Sequence, residues 1–165
     1  NIPDEEKQNY GFFKPTKEVF DAWERIDEIA RILNSRIILF QCPGSFKPTL
    51  ENKENLINFF NTIERRSYIF VWELRGDWKE EEIMELSRKL DLIHCVDPFK
   101  QRPTYGAINY FRLHGRPGYN LKYEYTYKDL EELKKMCDKP VNYCLFNNLS
   151  MAKDAQRFKT IIKCE

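Results

Sequence analysis

Five short runs of β-branched and aromatic residues, set in strict alternation with stretches of helical spacing, constrain this chain more than any other feature. They are RIILFQ (Arg36 to Gln41), YIFVWEL (Tyr68 to Leu74), LDLIHCVD (Leu90 to Asp97), INYFRLHG (Ile108 to Gly115) and VNYCLFNN (Val141 to Asn148). Each has the length of one strand and is apolar along most of it, the pattern of a strand covered on both faces. Val19, Phe20, Trp23, Ile26, Ile29, Ala30 and Leu33 recur at helical spacing behind Pro15, which predicts an amphipathic helix over 16–33 with Thr16 as its N-cap. Further helices are predicted over 50–63, from Asp77 to Leu90 with Asp77 and Glu80 as a capping-box-like start, over 127–136 and over 151–163. Strands and helices in that order imply a parallel sheet. Between Asp97 and Ile108 the segment PFKQRPTYGA carries two prolines and a glycine and is too short for a crossover helix, so an irregular loop is expected there.

A chain of 165 residues with 42% hydrophobic and 15% aromatic content can bury one core, and nothing in it reads as a linker, so a single domain over 1–165 is expected. Basic and acidic residues number 27 and 26, which excludes a global basic field for nucleic acid and leaves only local patches. No apolar run reaches the length of about 18 residues that a membrane span needs, and NIPDEEKQNY lacks the pattern of a signal peptide. A cytoplasmic protein without membrane association is the expectation. Cys42, Cys95, Cys137, Cys144 and Cys164 contain no CxxC pair, which argues against a zinc ribbon or a secreted disulfide scaffold and for buried thiols.

The strand ends are where the chemistry gathers. In parallel α/β proteins the C-terminal strand ends share one rim and aim side chains at a common centre. Here they carry Gln41; Glu73 and Arg75; Asp97; Arg112, His114 and Arg116; and Asn147 with Asn148. The two-residue period of a strand places Glu73 with Arg75, and Arg112 with His114, on shared faces. His114, at a strand end between two arginines, suits an acid, a base or a ligand, whereas His94 falls inside its strand and reads as a core histidine. Glu73, Asp97 and His114 form a candidate set for one divalent ion, without specific spacing. From Arg116 to Tyr127 the segment RPGYNLKYEYTY interleaves Arg116 and Lys122 with tyrosines that include Tyr123, and reads either as a lid on the rim or as a surface for stacking bases or sugars.

Two strings, YFRLHGRPGYNLKYEYTYKDL and YCLFNNLSMAKDAQRF, resemble in that order the ending of the YecE-like family, domain of unknown function 72, in an archaeal-type member. FQCPGSFKPT (Phe40 to Thr49) is similar to the family's strand and loop of pattern Q-x-P-x-S-F-x-P, and VWELRGDW (Val71 to Trp78) to its Glu-x-Arg strand followed by tryptophan. The resemblance implies a TIM-type (β/α) barrel represented by its C-terminal five parallel strands and their helices, the family's first three strands having no counterpart here. It also implies a site at the C-terminal rim containing Gln41, Glu73, Arg75, Asp97, Arg112, His114, Asn147 and Asn148. Leu149, Ser150 and Met151 stand where the family has a small residue after Asn-Asn, so the last loop is expected to differ in shape.

Three functions fit these residues. The first is an acid-base or metal-assisted hydrolase acting on a phosphorylated, nucleic-acid or sugar-containing substrate, with Glu73, Asp97 and His114 catalytic and Gln41, Arg75, Arg112, Arg116, Tyr123, Asn147 and Asn148 holding the substrate. The second is a non-catalytic module that binds nucleic acid or another polyanion. The third is a structural part of a barrel completed by its N-terminal segment or by a second chain.

Overall fold

A computed structural model describes residue 3 and residues 6–163, which leaves Cys164 outside the described residues. The chain forms two compact units, Asn1–Leu92 and Ile93–Glu165.

In the first unit, a single 3-10 turn (Lys7–Asn9) leads to α1 (Lys17–Ile32), β1 (Ile37–Gln41), α2 (Leu50–Thr62), β2 (Ile69–Glu73) and α3 (Glu80–Leu90). The two strands pair in parallel from Ile37 with Ile69 to Gln41 with Glu73, so these two polar residues end their strands side by side. Rings fill the core: Phe40 meets Phe60 and Phe70 at centroid distances of 4.9 and 5.2 Å, and Trp23 stands edge-on to Phe70 at 5.6 Å. Edge-to-face pairs of this kind add attraction beyond the area that they bury.

Thr16 occupies the N-cap position of α1, but its hydroxyl donates to Asn9 O at 2.6 Å instead of capping the helix. The buried face of α1 also differs from the apolar stripe in the sequence. Trp23, Asp27 and Ala30 are buried, while Ile26, Ile29 and Leu33 are exposed. Asp27 tolerates the core because Arg66 Nε, Tyr68 Oη and Arg31 Nε donate to its carboxylate at 2.9, 3.0 and 3.2 Å. Burial works against its ionisation, but these partners hold its pKa below the usual carboxylate value. The helix predicted from Asp77 begins at Glu80, where Glu82 accepts the Lys79 N–H at 3.1 Å. Asp77 reaches Lys47 instead, at 2.8 Å in solvent.

The second unit contains β3 (Ile93–Val96), β4 (Asn109–Leu113), α4 (Tyr127–Met136), β5 (Asn142–Phe146) and α5 (Met151–Lys163). All three strands are parallel, with Val96 beside Phe111 and Leu113 beside Phe146. Val96, Phe111, Leu113, Tyr125, Leu130, Leu133, Phe146, Phe158 and Ile161 make its core. The segment 98–107 has no helix, as its prolines require. At the start of α4, Thr126 Oγ1 accepts the Asp129 N–H and Asp129 Oδ2 accepts the Thr126 N–H, a reciprocal capping box. His94 is buried in β3, with Nδ1 accepting from Thr104 N at 3.2 Å, which bears out the core reading.

The whole is an α/β fold of five strands, parallel within each unit, in the strand-helix alternation that (β/α) barrels use. Among the described residues, no helix is long and apolar enough to cross a membrane.

Candidate functional site

The strands are shorter than their apolar runs, so most of the polar residues expected at strand ends sit in the loops just beyond them. Asp97 follows β3 by one residue, His114 follows β4 and Asn147 follows β5. Arg112 is half-buried within β4, beside Leu145 of β5.

Asp97 ties β3 to β4. Its Oδ1 accepts the Phe99 N–H at 3.1 Å and its Oδ2 accepts the His114 N–H at 3.0 Å. One carboxylate therefore closes its own turn and fixes the residue that ends the next strand. His114 is only 5% exposed, and its ring stacks on Tyr119 with centroids 5.0 Å apart and planes 22° from parallel. Its Nδ1 lies 3.7 Å from Asp97 Oδ2, too far for a hydrogen bond but close enough for charge to act. Its Nε2 is buried and has no hydrogen-bond partner among the described residues. Nε2 of His94 is in the same state, and what sets His114 apart is that its other ring nitrogen faces a carboxylate. Lys100 Nζ stands 3.9 Å from Asp97 Oδ2 and 5.5 Å from the Tyr119 ring centroid, which brings a cation to the same place.

Gly115 makes this arrangement buildable. Its φ of +88° is in the left-handed region, and a Cβ there would meet Asn120 O at 1.9 Å. Its N–H donates to Tyr125 Oη at 2.8 Å, and His114 O accepts the Asn120 N–H at 2.9 Å. The loop after β4 thus folds back over its own start, and Tyr119 reaches the histidine ring.

Two other predicted residues are bound up in holding that loop. Arg116 Nη1 donates to Asp129 Oδ1 at 2.7 Å and to Glu132 Oε2 at 3.2 Å, and its guanidinium lies 4.4 Å from the Phe99 ring centroid. Tyr123 Oη donates to Asp129 Oδ2 at 2.7 Å, which together with burial raises the pKa of the phenol. Burial opposes ionisation of Asp129, yet the donors from Tyr123, Thr126 and Arg116 prevail and hold its pKa below the usual carboxylate value. Asn148 plays a similar part, with Nδ2 donating to Tyr123 O and Asp154 Oδ2, both at 2.7 Å.

Asp129 and Asp154 escaped the sequence reading. Thr126 and Asp129 have capping-box spacing, a signal that could have placed Asp129 at the start of α4. Asp154 is fully buried and also accepts the Tyr125 N–H at 3.3 Å, and no local pattern marks it.

In the first unit, Glu73 is buried at the end of β2 with Oε1 3.5 Å from Arg75 Nε, while Gln41 is exposed. Among the described residues, no group of three or more His, Cys, Asp or Glu side chains is placed to hold a metal ion.

Fold and site define a class: an α/β protein of successive strand-helix units, with a carboxylate-anchored histidine where one strand gives way to its loop. The chain belongs to the DUF72 family, whose model, described as a protein of unknown function, matches residues 8–163. A DUF72 family protein from Thermotoga maritima has the same fold, with a TM-score of 0.68 at 21% identity over 91% of this chain and 66% of that one. Another, from Enterococcus faecalis, gives 0.68 at 19% identity over 85% and 64%. The chain thus spans just under two thirds of the length of these two relatives. No match was found among curated proteins.

Proposed function

We propose that this chain is a five-unit part of a TIM-type barrel hydrolase that uses His114 as its acid-base group on a phosphorylated or sugar-containing substrate. The observation that carries the reading is the buried Nε2 of His114, without a partner among the described residues, on a ring whose other nitrogen faces Asp97. With the proton on Nδ1, toward the carboxylate, Nε2 presents a lone pair that can take a proton from water or a hydroxyl and return it to a leaving group. Asp97 is a positioning residue, since it holds the His114 backbone, and Lys100 supplies positive charge for an anionic substrate. Arg112 in β4 and Asn147 after β5 are proposed to contact substrate. Arg116, Tyr123 and Asn148 support the loop instead.

Acid-base chemistry is the reading that the neighbourhood of His114, with Asp97 and Lys100 beside it, supports. It is preferred to a polyanion-binding module because Arg116 and Tyr123, two of that module's contacts, are committed to Asp129. The greater length of the two solved relatives favours completion of the barrel by further strands, in the same polypeptide or a second one.

The test is turnover of p-nitrophenyl phosphate, bis(p-nitrophenyl) phosphate and p-nitrophenyl glucoside, with NMR of the His114 imidazole in the presence of inorganic phosphate. One substrate class should turn over, and His114→Gln should lower its rate by about 10²-fold or more. Absence of turnover on all three, with an imidazole signal unmoved by phosphate, would refute the reading.

A further inference from the structure

At the opposite end of α4 from its capping box lies a pair of thiols that the proposed chemistry does not use. Cys137 is the C-cap of α4 and Cys144 is the central residue of β5, and their Sγ atoms are 3.6 Å apart in hydrogen-bonding contact. Both are half-buried, unlike Cys42 and Cys95, which are enclosed. A cavity of about 400 Å³ opens beside them, lined by Cys137, Cys144, Phe146, Phe158, Lys159 and Ile162.

We propose that Cys137 and Cys144 are a redox-active dithiol that a small-molecule disulfide closes into an intramolecular disulfide. Bonding requires the sulfurs to approach from 3.6 Å to about 2.05 Å. Cys137 can supply that movement, because with φ −78° and ψ 66° it has already left the helical conformation. The cavity admits the reagent to both sulfurs. Cys137 Sγ attacks one sulfur of the small disulfide, whose S–S bond breaks, and the departing half leaves with the electron pair and takes up the thiol proton. Cys144 Sγ then attacks Cys137 Sγ in the mixed disulfide and expels the second half in the same way. Two protein thiols are oxidised and one small disulfide is reduced to two thiols. Cys137 suits the attacking role, since the hydrogen bond from Cys144 lowers its pKa while that of Cys144 is raised. The bond would fasten the end of α4 to the middle of β5.

The full chain carrying Cys164→Ser, with and without oxidised glutathione, provides the test through thiol alkylation, intact mass and peptide mapping. The oxidised sample should lose two alkylatable thiols and two hydrogens in mass, and should yield a Cys137 to Cys144 linked peptide that dithiothreitol cleaves. Adding Cys144→Ser should instead trap a glutathione adduct on Cys137. The proposal is overturned if both thiols remain alkylatable, if the adduct persists without closing in the chain that retains Cys144, or if Cys42 or Cys95 forms the bond.

Discussion

Asp154→Ala should strongly destabilise the second unit, and the size of the loss can be worked from the contacts. The carboxylate is fully buried and accepts from Asn148 Nδ2 at 2.7 Å, Tyr125 N at 3.3 Å and Arg157 Nη1 at 3.3 Å. Arg157 is 37% exposed and regains water, so its loss contributes little. Asn148 and Tyr125 are enclosed; one N–H of the Asn148 amide keeps Tyr123 O, while the other and the Tyr125 N–H lose their acceptor, at ~1–3 kcal/mol each. Two such donors give a loss of about 4 kcal/mol, within a range of about 2–6. Urea unfolding followed by far-UV circular dichroism measures it, with the slope expected to stay unchanged. Trp23, Trp72 and Trp78 all lie in the first unit, so tryptophan emission serves as an internal comparison. Adding Asn148→Ala removes one of the stranded donors, so the double variant should lose less than the sum of the singles. A loss under about 1 kcal/mol for Asp154→Ala, or strict additivity with Asn148→Ala, would refute the assignment of Asp154 as the acceptor that anchors the loop before α4.

Two further outcomes follow from buried geometry. Burial lowers the pKa of His94 from 6.5 to about 4, so the unfolded chain binds the extra proton first and stability falls as pH drops through that window. Between pH 7.5 and pH 4.5 the loss from this group should be about 2–3 kcal/mol, and urea melts of His94→Gln should show a flatter dependence; an equal slope in the variant would remove His94 as the cause. Gly115→Ala combines a φ of +88° with a Cβ 1.9 Å from Asn120 O, whereas Gly118→Ala has a φ of +67° and open space. The first should cost about 2–5 kcal/mol and the second about 1–2. Equal losses in thermal melts would mean that the loop after β4 does not pack on its own start.

Element positions were largely legible in the sequence because they rest on local periodicity. The bounds predicted for α4 and α5 match those observed, and the irregular passage over 98–107 follows from its prolines. The core placement of His94 was also readable, from its position within an apolar run. What the sequence missed involves partners distant along the chain. The buried face of α1 contains Asp27 because Arg66 and Tyr68, some 40 positions later, supply its hydrogen bonds. Of the residues expected to hold substrate, Arg116 and Tyr123 are engaged by Asp129, which no property of RPGYNLKYEYTY alone could reveal.

Sequence by itself determined the strand-helix order, the parallel pairing and the clustering of polar groups at the ends of apolar runs, since each follows from spacing and residue type within a few positions. Only the tertiary structure decided which of those polar groups are satisfied. It gave Asn148 an acceptor in Asp154 and left His114 Nε2 buried without a partner among the described residues. It also brought Cys137 to Cys144 across the turn from α4 to β5. A hydrogen bond needs its two atoms within about 3 Å, and that proximity is set by packing across the unit and not by neighbours along the chain.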